Sequence, residues 1–186
     1  FFRALEENGF PKNITSECIG KTWLNYIVED KTILWWGGLG RSTEHTAYLR
    51  LKRGISAPDS GSIALNGKAM AEQIGAEIFI DTWAMVNPGD PDRAVAMAKS
   101  AASVSHDGVA VEAACNLAAM QSAAFFESRI DRLIDIGSTF ISNNELKSAI
   151  NEVRNQCSKV GDNWRQVRVW LEKYYPYSKF PGNCPM

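Results

Sequence analysis

The 186-residue sequence has almost no surplus of charge: 20 Lys and Arg stand against 21 Asp and Glu, a net charge of −1. There is no general basic surface to attract nucleic-acid phosphates or anionic lipid, so neither partner is expected. No apolar run approaches the ~20 residues of a membrane-spanning helix. No membrane association is expected, and the protein is assigned to the cytoplasm. Cysteine is scarce as well. Cys18, Cys115, Cys157 and Cys184 lie far apart, with no Cys-x-x-Cys and no Cys/His pairing. That spacing argues against zinc and against a disulfide framework, and reduced structural thiols are expected. Asn13-Ile14-Thr15 fits a glycosylation sequon, but nothing resembling a secretory signal precedes it, so Asn13 to Ser16 reads as a turn and helix cap.

Strand-type alternation is nearly absent, as are internal repeats, low-complexity tracts and long linkers. What remains is helical punctuation around a 45% hydrophobic composition, enough for one globular core. Thr15 or Ser16 caps a helix to about Asp30, with Ile19, Trp23, Tyr26 and Ile27 among its apolar positions. Ser42 caps a helix that Gly54 ends. A loop from Ile55 to Gly67 leads into a helix expected from Lys68 to about Val86. Asp90 then caps, and Pro91 opens, a helix to about Ser105. Val109 to Phe126 is the most uniformly apolar stretch, and its alanines from Ala110 to Ala124 read as core. Further helices are expected near 128–136, 144–158 and 163–175, the last with Trp164, Val167, Leu171 and Tyr174 on one face. The pattern predicts one all-α unit.

Several segments suggest ligand chemistry. "KTILWWGGLGRST" has the look of a phosphate loop, but Trp35 stands where that motif needs glycine, Arg41 replaces its lysine, and no βαβ pattern follows. It reads as a glycine turn with a helix cap, and Trp35 and Trp36 are the one tryptophan pair beside a glycine turn where a base or ribose could stack. "SGSIALNGKAM" is a better candidate. Gly61 and Gly67 permit unusual backbone geometry, Ser62 and Asn66 offer hydrogen bonds, and a helix N-terminus with its partial positive charge follows. "SVSHDG" repeats the arrangement: Asp107 can cap, Gly108 lets a ligand approach the backbone, and His106, expected in a turn outside the core, can donate to a phosphate oxygen. Two such helix mouths suit a diphosphate-like ligand between them. Gln73, Glu77 and Asp81, four residues apart, are expected as one polar stripe along a helix. They do not supply the pair of acids across a substrate that glycosidase chemistry usually requires.

The segment Gly38 to Met120, with the ordered series Gly61-Ser62, Asn66-Gly67, Pro88-Gly89-Asp90-Pro91 and Ser105-His106-Asp107-Gly108, resembles the middle of bacterial ADP-ribosylglycohydrolases. The similarity continues through "DNWRQVRVWLEKYY" to "GNCPM". The resemblance implies an all-α bundle and hydrolysis of the N-glycosidic bond joining ADP-ribose to a protein side chain or small acceptor. It also implies that Gly61, Ser62, Asn66, His106 and Gly108 border the phosphates and ribose of the substrate. Members of that family use two magnesium ions, held by a Thr/Asp/Asp cluster near the N-terminus and an Asp-x-Asp segment near the C-terminus. Neither motif occurs in this sequence, and Glu29-Asp30-Lys31-Thr32 has the wrong surroundings for one. The 186 residues are therefore expected to be an internal part of a longer domain that positions substrate, holds no metal and is inactive alone. The alternative is a non-catalytic structural or ADP-ribose-binding relative, because the family includes lens crystallins.

Overall fold

The structure, a computed structural model, describes residues 1–33 and 37–176. Trp35, Trp36 and Cys184, together with the closing "GNCPM", lie outside the described residues. Within them the chain forms twelve α-helices and one 3-10 turn, with no strand. No described helix is long and apolar enough to cross a membrane.

The helices begin where short-range chemistry can start them. After α1 (Phe2–Glu7), Thr15 caps α2 (Ser16–Tyr26) by accepting from the Cys18 N–H at 3.2 Å. Ser42 caps α3 (Thr43–Lys52) by accepting from the His45 N–H. The loop that follows is not featureless: it holds the 3-10 turn Asp59–Gly61 and a one-turn helix, α4 (Ile63–Asn66). Farther along, Asp90 caps α8 (Pro91–Ala102) with Pro91 as its first residue. Asn143 caps α11 (Asn144–Val160) through the Leu146 N–H. Each cap satisfies an N–H that the helix itself leaves unpaired.

Helix ends depart further from expectation. In place of one helix from Lys68 to Val86 there are three short ones: α5 (Lys68–Ala71), α6 (Gly75–Ile78) and α7 (Asp81–Met85). The Ala71 carbonyl, which a continuous helix would offer to the Gly75 N–H, accepts instead from the Asp107 N–H at 3.1 Å. Gln73, Glu77 and Asp81 therefore do not form one stripe. Gln73 bonds back to the Ala69 carbonyl, while Asp81 accepts from Gln121 on the most buried helix, α9 (Val109–Ala123). α9 itself stops short of Phe126, because the Ser122 carbonyl accepts from the Gly89 N–H at 2.8 Å. α2 ends at Tyr26, where Thr32 Oγ1 receives the Val28 N–H and closes a tight loop.

The core lies between α8 and α9. Ala94, Ala98 and Ala102 of one helix and Ala110, Ala114 and Ala118 of the other are fully buried, and their four-residue spacing puts each set on one helix face. Small side chains let the two axes approach, so the alanine-rich run is core as expected. α10 (Ile130–Ser138) packs on α9 through Gly137, where a Cβ would collide with Asn116 and Met120. α12 (Trp164–Tyr174) lies against α11 but buries no residue of its own, and Trp164 and Tyr174 of its expected apolar face are exposed. Cys18, Cys115 and Cys157 are free thiols, and burial pushes Cys115 up to about 11.

Candidate functional site

The two glycine-bearing loops, far apart in sequence, meet in space. Ser60 Oγ donates to the Val104 carbonyl at 2.7 Å, and the Ile63 N–H donates to Asp107 Oδ2 at 3.0 Å. Gly61 lies flat on the second loop. A Cβ there would stand 2.5 Å from the Ser105 carbonyl carbon and 2.7 Å from the His106 nitrogen. Asn66 braces the first loop from within, donating to the Ser60 carbonyl at 2.8 Å and accepting from Arg50 Nε at 3.3 Å. Ser62 caps α4 by accepting from the Leu65 N–H, and its hydroxyl donates to the Asp59 carbonyl.

Both helix mouths are served by the chain's own carboxylates. Glu72, nearly buried, accepts from the Val109 N–H at the start of α9, and Gly108 must lack a Cβ because that atom would strike the Glu72 carboxylate. Asp107 takes the Ile63 N–H at the start of α4 and its own neighbour's N–H at Gly108. The anion that a helix N-terminus attracts is thus already present at each of these two positions.

His106 is not a surface residue of the turn. Only 1% of it is exposed, and its ring packs beside Phe79 with centroids 5.8 Å apart. Burial pushes the imidazole down to about 3, so it is neutral. Its Nε2 atom lies 3.9 Å from Glu44 Oε1, too far for a hydrogen bond, and is buried without a partner. Nδ1 lies 2.8 Å from Ser105 Oγ. Gly75 fits closely over this pair, because a Cβ there would overlap Glu44 Oε1 and lie 3.0 Å from His106 Nε2.

Glu44 stands between two clefts. One, of about 390 Å³, is bordered by Arg41, Ser42, Gln73 and Gly75; the other, of about 380 Å³, by Phe1, Trp23, Phe79 and Trp83. The profile of the ADP-ribosylglycohydrolase family matches residues 3–183. The chain belongs to the ADP-ribosylglycohydrolase family. No curated protein and no solved structure matches it. The all-α architecture agrees with the fold of ADP-ribosylglycohydrolases, and the family implies ADP-ribose or an ADP-ribosylated molecule as ligand.

ADP-ribosylglycohydrolases generally depend on a divalent metal. Among the described residues no three His, Cys, Asp or Glu side chains stand together as a ligand set. Hard cations need several oxygen ligands at once, and the described residues do not fit a binuclear magnesium centre. Of the five residues picked from the sequence, Gly61, Ser62 and Asn66 lie on one loop and His106 and Gly108 on the loop packed against it. Glu44, Glu72 and Ser60 were missed. Each works through a contact with a distant segment, and the one local clue was Glu44's place in the first turn of a helix, where acids are common.

Proposed function

We propose that this protein acts in the removal of ADP-ribose, as part of a hydrolase that cleaves the N-glycosidic bond between ADP-ribose and a protein side chain or small acceptor. In this reading Gly61, Ser62, Asn66, His106 and Gly108 mark the substrate-positioning region. Gly61 lets the first loop seat on the second, Ser62 and Asn66 brace that loop from within, and Gly108 leaves room for the Glu72 carboxylate. His106 contributes from beneath, its ring being covered. The observation that carries the reading is the direct packing of the 59–67 loop on the 103–108 loop, through Ser60 to Val104 and Ile63 to Asp107, in a chain of this family.

A calorimetric titration with ADP-ribose tests the proposal. Saturable binding that weakens in Asn66→Ala supports it, and the absence of binding removes it. A second reading, a non-catalytic relative that only binds ADP-ribose or serves a structural role, is favoured by one observation. The acids Glu72, Asp107 and Glu112 are all engaged with backbone N–H groups inside the fold. Release of ADP-ribose from a modified protein by a longer protein that contains this chain, followed by mass spectrometry, separates the two, since only the hydrolase turns substrate over.

A further inference from the structure

We infer that Glu44 is the residue that receives the hydroxyl groups of the ligand, and that His106 acts through it as a positioning residue; the inference rests on the ADP-ribose reading above. Glu44 lines both clefts, and its side chain is 28% exposed above a ring that is fully covered. An ionised carboxylate offers about four acceptor sites. The described contacts engage one of them, on Oε2, which accepts from Ser42 Oγ at 3.2 Å. Oε1 faces His106 Nε2 without reaching it. A carboxylate with free acceptor capacity at the edge of a cleft suits a pair of neighbouring hydroxyls, the same chemistry by which an acidic residue holds a ribose diol in dinucleotide-binding folds.

The ring beneath is arranged to hold that carboxylate. A neutral imidazole carries one N–H, and its location follows from the partners. With the Ser105 hydroxyl donating to Nδ1, the proton sits on Nε2 and points at Glu44. The opposite tautomer would set a bare nitrogen lone pair against a carboxylate in a buried site, which is unfavourable. Nε2 is a buried donor without a partner, which is costly unless a bond forms in the working state. A small inward movement of Glu44, or one bridging water, completes the chain Ser105–His106–Glu44. Gly75 permits this approach, since any side chain there would occupy the position of the carboxylate.

The test pairs ADP-ribose titration with nitrogen-15 NMR of the His106 ring. Glu44→Gln should weaken ADP-ribose binding about tenfold or more, the value of a charge-assisted hydrogen bond. The wild-type ring should carry its proton on Nε2, and the Nε2 resonance should shift both in Glu44→Gln and on addition of ADP-ribose. His106→Gln, whose amide can reach the Nε2 position, should restore binding that His106→Asn, with a shorter reach, loses. The Glu44→Gln and NMR measurements stand whether or not the His106 variants fold. Wild-type affinity in Glu44→Gln, or a ring protonated on Nδ1, overturns the inference alone. Failure of the wild-type protein to bind ADP-ribose overturns it together with the proposed function.

Discussion

Glu72 accepts a hydrogen bond from the Val109 N–H at 3.2 Å, a side chain at the end of α5 closing the mouth of the most buried helix. The next backbone contact reinforces it, for the Asp107 N–H donates to the Ala71 carbonyl. One carboxylate thus caps α9 and helps tie the end of α5 to the 103–108 loop. Glu72→Ala should destabilise the protein by about 1–2 kcal/mol, the usual cost of a lost N-terminal cap. Glu72→Gln, which keeps an acceptor oxygen, should cost less. Urea denaturation of the two variants checks the order, and an unchanged midpoint in Glu72→Ala would show that the bond contributes nothing.

Gly61 and Gly67 should respond differently to alanine. At Gly61 the added Cβ meets the backbone of Ser105 and His106, which cannot move aside as a side chain can. Gly61→Ala should cost about 1–3 kcal/mol as overpacking and should push the loops apart. Gly67 has φ +80° and ψ 156° but open space around it, so Gly67→Ala costs backbone strain of about 1–3 kcal/mol without pressing on the second loop. Crystal structures or amide exchange of the 103–108 segment should show disturbance in the first variant and none in the second.

His106 supplies a prediction about pH. Its folded value is about 3, held down by burial, against about 6.5 when unfolded. Between those values the unfolded chain binds a proton that the folded chain does not. This contribution to stability is therefore complete above about pH 6.5 and declines as pH falls through the window, by up to about 1.4 kcal/mol per unit. His106→Gln removes the titrating group, so its stability should fall less on the acid side than that of the wild type. Parallel acid-side slopes in urea titrations of the two proteins would contradict this.

The same burial reverses an expectation for His106→Ala. A residue in an exposed turn could be truncated at little cost. A covered ring bonded to Ser105 should leave a cavity and an unpaired hydroxyl, costing about 2–4 kcal/mol. The thermal midpoint of the variant is the measurement, and a midpoint equal to the wild type would place the ring outside the core.

Magnesium should bind the 186-residue chain no better than it binds an ordinary acidic surface. Glu72, Asp107 and Glu112 already accept backbone N–H groups. Asp131 and Asp135 share Arg154. A stoichiometric micromolar site in a calorimetric titration would contradict this expectation.

The sequence by itself determined the helical class, the capped helix starts after Thr15, Ser42 and Asp90, and the alanine core. Thr15, Ser42 and Asp90 cap helices through N–H groups three residues away, and periodicity along α8 and α9 needs nothing beyond the helix itself. The ordered glycine motifs likewise pointed to the family and to the two loops. Only the tertiary structure decided where helices stop and which side chains are covered. The Ala71 and Ser122 carbonyls are diverted to Asp107 and Gly89, Glu72 is turned inward onto α9, and His106 is enclosed with Phe79 beside it and Glu44 above. A cap is satisfied by its near neighbours, so its residues announce it. A carbonyl or imidazole accepts whichever partner packing delivers, and that partner comes from a distant stretch of the chain.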